Sequence, residues 1–145
     1  MGDLQLIVGK CSEAYQTFKQ LLSLSSGDSK ADIKKLMSKA WECSKDLALA
    51  AKETTKKAYD KAASTFTKVL EVASNSVAVR LSRARVYFAL SNWEVVISDC
   101  ALILKQQPDH LEALYMRGYA LLETGERDSA NIHFKKVRLV IDTDA

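Results

Sequence analysis

The stretch Ala62-Ala63-Ser64-Thr65-Phe66-Thr67-Lys68-Val69 decides the fold. Ala62, Phe66 and Val69 share one face of a helix, a small residue followed by an aromatic and an aliphatic one. Thirty-four residues after Ala62 the positions recur as Val96, Cys100 and Ile103, and thirty-four later as Ala130, Phe134 and Val137. A period of this length marks a stacked helix-turn-helix solenoid, in which each unit buries its apolar face only against its neighbours. Such an architecture points to binding before catalysis.

Reading outward, the helical period predicts about seven helices, at 9–25, 30–56, 58–73, 77–90, 93–106, 111–124 and 127–141. The breaks are Ser25–Ser29, Ser74–Ser76, Ser91-Asn92, Gln107–His110 and Thr124–Glu126, with Asp28 or Ser29 as candidate caps of the second helix. Breaks this short make consecutive helices antiparallel neighbours. Composition agrees: with one Pro and five Gly in 145 residues, the chain has little material for a sheet with many tight turns.

Net charge is +3, too small to argue for nucleic acid, but it is uneven. Residues 1–76 carry 12 basic and 9 acidic side chains, and residues 77–145 carry 9 of each. Scattered along helices, those lysines read first as a solvated face. Cys11, Cys43 and Cys100 are odd in number and match no metal spacing, so buried structural thiols are expected and nothing supports a disulfide. His110 lies in an inter-repeat turn, where a solvated or capping role is expected, and His133 is expected on the outer side of the last helix. No phosphate loop and no Ser/His/Asp or Cys/His set can be assembled, so no enzyme, cofactor or metal is expected. No segment reaches transmembrane length and no signal peptide is visible, so the default compartment is cytoplasmic.

With those residues in place, the chain resembles the tetratricopeptide repeat (TPR) family. Taking 77–110 and 111–144 as repeats, the family's small eighth position is Ala84 and Gly118, and its large eleventh is Tyr87 and Leu121. Its small twentieth position is Val96 and Ala130, its bulky twenty-fourth Cys100 and Phe134, and Pro108 stands at the repeat-ending proline. The stretch 43–76 matches through its second helix, with Glu53 departing at the large position. Gly9, Ala14, Phe18 and Leu21 look like the second helix of a further repeat. Ala14 and Ala62 are 48 residues apart, one period plus fourteen, so helix 30–56 reads as a repeat helix extended by about four turns.

The resemblance implies an all-α, right-handed TPR superhelix of about three and a half repeats. A single solenoid domain would comprise a partial repeat at 9–28, an extended repeat at 30–76, and repeats at 77–110 and 111–144. Both ends look cut, so a piece of a longer protein is expected.

The family's groove positions fall on Leu47, Leu81, Arg85, Phe88, Tyr115, Tyr119 and Leu122, with Leu81, Arg85 and Tyr115 expected to be exposed and Tyr119 and Leu122 equally suited to the core. A carboxylate clamp would need Asn, Asn, Lys and Arg where this chain has Ala51, Ser82, Glu112 and Met116, so the resemblance implies an apolar polypeptide ligand instead. The run 77–85 leading into 95–100 is similar to TPR-bearing J-domain co-chaperones, above all the endoplasmic-reticulum type, whose TPR region binds misfolded clients. That implies client binding and a lumenal compartment, although no His-Pro-Asp of a J domain is present. The alternatives are a scaffold subunit using its outer faces and ends, and a weak RNA binder using the N-terminal lysines. The intact mass of the protein from its native source is expected to exceed 16.1 kDa.

Overall fold

The structure of the chain, a computed structural model, describes residues 1, 2, 5 and 9–144. Among the described residues seven helices are delimited: α1 (Cys11–Leu24), α2 (Ser29–Thr55), α3 (Tyr59–Val72), α4 (Val77–Ala89), α5 (Trp93–Gln106), α6 (Leu111–Glu123) and α7 (Arg127–Asp144). Among the described residues there is no strand. Each helix lies within three residues of its expected bounds, and α2, at 27 residues, is the extended one. The chain forms two compact units, Met1–Val79 and Arg80–Ala145, and the division falls inside the first turn of α4.

Small residues stand at the helix crossings. Ala14, Ala62, Ala84 and Ala130 are all fully buried. At Gly118 on α6, an added Cβ would come within 2.9 Å of the Phe134 ring and 3.2 Å of the His133 Cβ. A side chain there would therefore force α6 and α7 apart. Phe18, Phe66, Val69 and Ile103 fill the space beside the crossings, as the pattern predicts.

A second feature repeats with the same period. Lys57, Ser91 and Gly125 each have a positive φ, at 59°, 56° and 89°. After each, the next amide closes back on the preceding helix: Ala58 N on Glu53 O, Asn92 N on Tyr87 O, and Glu126 N on Leu121 O. This is the left-handed helix stop that satisfies the last carbonyls and turns the chain sharply. Only the last of the three positions carries glycine, so Lys57 and Ser91 hold a conformation that costs a side-chain-bearing residue about 1 kcal/mol. The degenerate repeat therefore keeps the turn of its neighbours despite its sequence.

Three expectations need correction. Cys11 and Cys43 form a disulfide, with Cα atoms 5.7 Å apart. Cys11 lies 13 residues before the end of α1, roughly 20 Å, and Cys43 lies 14 residues into α2, roughly 21 Å. An antiparallel hairpin with a short turn brings the two level. Cys100 remains a buried thiol, its pKa pushed up to about 12 by burial and by the neighbouring Asp99 carboxylate. Secondly, Asp28 precedes α2 but its side chain makes no capping bond. Its φ and ψ of −62° and −29° are already helical, whereas a capping side chain needs an extended backbone to reach back. Thirdly, His133 does not face outward. It is half-buried, its Nδ1 meets Ser129 O at 2.8 Å, and its Nε2 lies 3.1 Å from Arg117 Nη1 on α6.

Asp99 on α5 is 1% exposed and is held by two arginines of α4. Arg83 donates to it at 2.8 and 2.6 Å and Arg80 at 3.3 Å. Asp99 raises the pKa of Arg83, chiefly through the hydrogen bond. Truncating this carboxylate would leave two half-buried cations facing each other, so Asp99→Ala is expected to cost about 3–5 kcal/mol.

Urea denaturation of Lys57→Gly and Ser91→Gly is expected to show each variant more stable than the parent by up to about 1 kcal/mol. Gly118→Val should lose about 1–3 kcal/mol in the same assay, because α6 cannot retreat from Phe134 without opening the crossing. Treatment of the native, non-reduced protein with iodoacetamide at pH 8 should add no mass. Denaturation should expose one thiol, and denaturation with reductant should expose three.

Candidate functional site

Within the unit Arg80–Ala145, α4 and α6 present one decorated surface. Arg85 and Phe88 stand one turn apart on α4, and Glu112, Tyr115, Tyr119 and Leu122 follow the helical stripe of α6. His110 starts α6, its Nδ1 accepting from Ala113 N at 3.2 Å. That cap, as expected for His110, sets where the stripe begins.

The aromatic rings form a connected ladder. Phe88 and Tyr119 have centroids 5.2 Å apart, and Trp93, from the first turn of α5, lies 5.4 Å from Phe88 and 5.7 Å from Tyr119. Tyr115 is 6.4 Å from Tyr119 and 6.3 Å from Phe134 of α7. These separations suit tilted and edge-on ring packing, which holds each ring in place. Phe88, Trp93, Tyr119 and Phe134 are half-buried, whereas Tyr115 is 51% and Leu122 42% exposed. A braced aromatic surface therefore carries an exposed tyrosine and an exposed leucine.

One ion pair edges the ladder. Arg85 Nε and Nη2 each donate to a Glu112 carboxylate oxygen at 2.5 Å. The bidentate bond raises the pKa of Arg85 and lowers that of Glu112. A depressed carboxylate pKa means that the pair is fully formed above the ordinary glutamate range and opens as pH falls through the lowered value. At neutral pH neither partner is available to a ligand without displacing the other.

The expected groove residues divide. Arg85, Phe88, Tyr115 and Tyr119 come together in the ladder and its ion pair, and Leu122 extends the stripe. Leu81 departs from expectation: it is only 9% exposed, although helical phase puts it on the same stripe of α4 as Arg85 and Phe88. Leu47 belongs to the other unit, where it is half-buried and lines a shallow cleft with Gly9, Cys11, Ser12, Ser44 and Ala48. Trp93 and Phe134 were not among the expected site residues. Both stand on second helices of repeats, whereas the family's groove positions lie on first helices; only their aromatic character could have drawn attention to them. Among the described residues no group of three His, Cys, Asp or Glu side chains could hold a metal ion. No helix among them is long and apolar enough to cross a membrane.

The architecture is that of a TPR domain. The TPR domain of P58(IPK) superposes on 99% of the chain and 39% of its own length with a TM-score of 0.85 at 24% identity. The second TPR domain of Spaghetti (RPAP3), solved bound to the HSP90 peptide SRMEEVD, superposes on 68% of the chain and 92% of its own length at 0.62 with 18% identity. A MamA structure covers 99% of this chain and 94% of its own at 0.66 with 18% identity.

In sequence, the chain is similar to two rice (Oryza sativa subsp. japonica) proteins. DnaJ protein P58IPK homolog B is 35% identical over 47% of this chain and 14% of its own length. DnaJ protein P58IPK homolog A is 34% identical over 49% of this chain and 17% of its own length. The matched region is thus a small part of either relative, less than a fifth of its length. No protein-family model matches the chain.

In Arg85→Ala, the Glu112 carboxyl is expected to titrate at higher pH than in the parent, followed by carboxyl-carbon NMR. The stability loss should stay below about 1 kcal/mol because the pair is exposed.

Proposed function

We propose that the chain is a non-catalytic protein-binding module that holds an extended or unfolded polypeptide on the α4–α6 face, as the client-binding part of a J-domain co-chaperone. The observation that carries this reading is Tyr115, half exposed and braced between the Tyr119 and Phe134 rings of the ladder. A rigid aromatic platform takes apolar side chains at small cost in conformational entropy. Leu122 extends the apolar surface, and contiguous exposed apolar surface commonly marks an interaction site. The resemblance to two DnaJ proteins supports the co-chaperone role.

A carboxylate-clamp ligand suits this surface poorly, because Met116 is buried and Glu112 is occupied by Arg85. The Cys11–Cys43 disulfide favours an oxidising compartment such as the endoplasmic-reticulum lumen over the cytoplasm. A second reading, a scaffold subunit, draws support from the opposite side of the last helix. There Ile132 and Leu139 share one face and are 66% and 64% exposed, a surface suited to a folded partner.

The test is Tyr115→Asp with Leu122→Asp, both exposed enough to spare the core. The probe is a reduced, alkylated protein that cannot refold. Loss of about tenfold or more in affinity is expected, with an unchanged circular dichroism spectrum. Unchanged affinity in a folded double variant would overturn the proposal.

A further inference from the structure

The acids of the extended helix α2 gather on one flank, which Lys35 and Lys39 share, and a second flank carries lysines as its only charges. The carboxylates turn toward α3. Asp46 pairs with Lys68 at 2.8 Å, and Glu53 accepts from the Thr65 hydroxyl at 2.7 Å. Glu42 and Asp32 lie on the same flank by helical phase. At 100° per residue, Lys30, Lys34, Trp41, Lys45 and Lys52 fall within a sector of about 60°, and that sector contains no acidic residue. All five are exposed, Trp41 by 52%. None of these four lysines forms an ion pair among the described residues.

Trp41 is held in place. The Tyr15 ring of α1 packs against it at 5.5 Å, and one turn away the hydroxyls of Ser12 and Ser44 are 2.9 Å apart. The Cys11–Cys43 disulfide locks the same two helices at that level. The stripe is thus a row of lysines with a braced aromatic pair at its middle, on a hairpin that cannot slide. Twenty-two residues of helix separate Lys30 from Lys52, roughly 33 Å. An extended peptide of about ten residues has that length.

We infer that this face of the α1–α2 hairpin docks an acidic polypeptide segment carrying a central aromatic or aliphatic side chain. Carboxylates along the segment meet Lys30, Lys34, Lys45 and Lys52, and the apolar side chain seats on Trp41 and Tyr15. Charge complementarity selects the partner. The aromatic pair sets its register, since lysines alone would hold an acidic chain without fixing its position. The site is separate from the α4–α6 ladder and stands whether or not that surface binds clients.

The experiment uses the whole chain carrying Trp93→Phe, so that Trp41 is the only tryptophan. The probe is a twelve-residue Glu/Asp-rich peptide with one central Phe, titrated by tryptophan fluorescence and, with a label, by anisotropy. Saturable binding that shifts Trp41 emission and weakens as salt is raised is the expected result. Lys34→Glu with Lys45→Glu should weaken it by about tenfold or more. Trp41→Ala, read by anisotropy, should weaken it while leaving the salt dependence in place. The same peptide with Lys in place of its acids should not bind.

The proposal is overturned if the peptide fails to bind the folded parent, or if the charge-reversed variant binds it equally well. It is also overturned if single-stranded RNA or phosphatidylserine vesicles bind this face while the acidic peptide does not.

Discussion

Close approach of helices at residues without bulk is the constraint on which the structure depends. Ala62, Ala84, Gly118 and Ala130 stand where a neighbouring helix passes, and the alanines have no exposed surface at all. Gly118 shows how narrow the margin is, since one added carbon would meet the Phe134 ring at 2.9 Å. The same approach builds the candidate site. Because α7 can come this near to α6, Phe134 reaches Tyr115, and Tyr115 stands braced at the surface instead of folding back. Packing inside the unit and the aromatic ladder on its face are thus two consequences of one missing side chain.

Charged groups do different work according to their burial. Asp99, enclosed by Arg80 and Arg83, ties α4 to α5 inside the second unit, where an unpaired charge would be costly. The Arg85–Glu112 pair is exposed and contributes little to stability, but it neutralises the edge of the ladder and keeps the platform apolar in character. On α2 the acids turned toward α3 leave the lysines of the other flank without ion pairs among the described residues. Local ion pairing therefore creates a basic stripe in a chain whose net charge is only +3.

The disulfide and the left-handed turns show why equal patterns differ in legibility. Lys57, Ser91 and Gly125 occupy one structural position at the repeat period, yet only the glycine advertises it. The other two are imposed by the packing of the helices on either side. Cys11 and Cys43 are 32 residues apart with no motif between them. Their pairing follows from hairpin arithmetic, which requires knowing where α1 ends and α2 begins.

The order and bounds of the helices, the extension of α2 and the small-residue crossings were legible in the sequence, because they rest on local periodicity and on the volume of single side chains. Arg85, Phe88, Tyr115 and Tyr119 were legible as surface candidates for the same reason. The tertiary structure alone decided that Leu81 is core, that His133 turns inward, and that Trp93 and Phe134 join the ladder. It likewise decided that Arg80 and Arg83 enclose Asp99 and that two cysteines meet. Each of these depends on which face of one helix meets which face of another, and a one-dimensional period fixes the faces without fixing their partners.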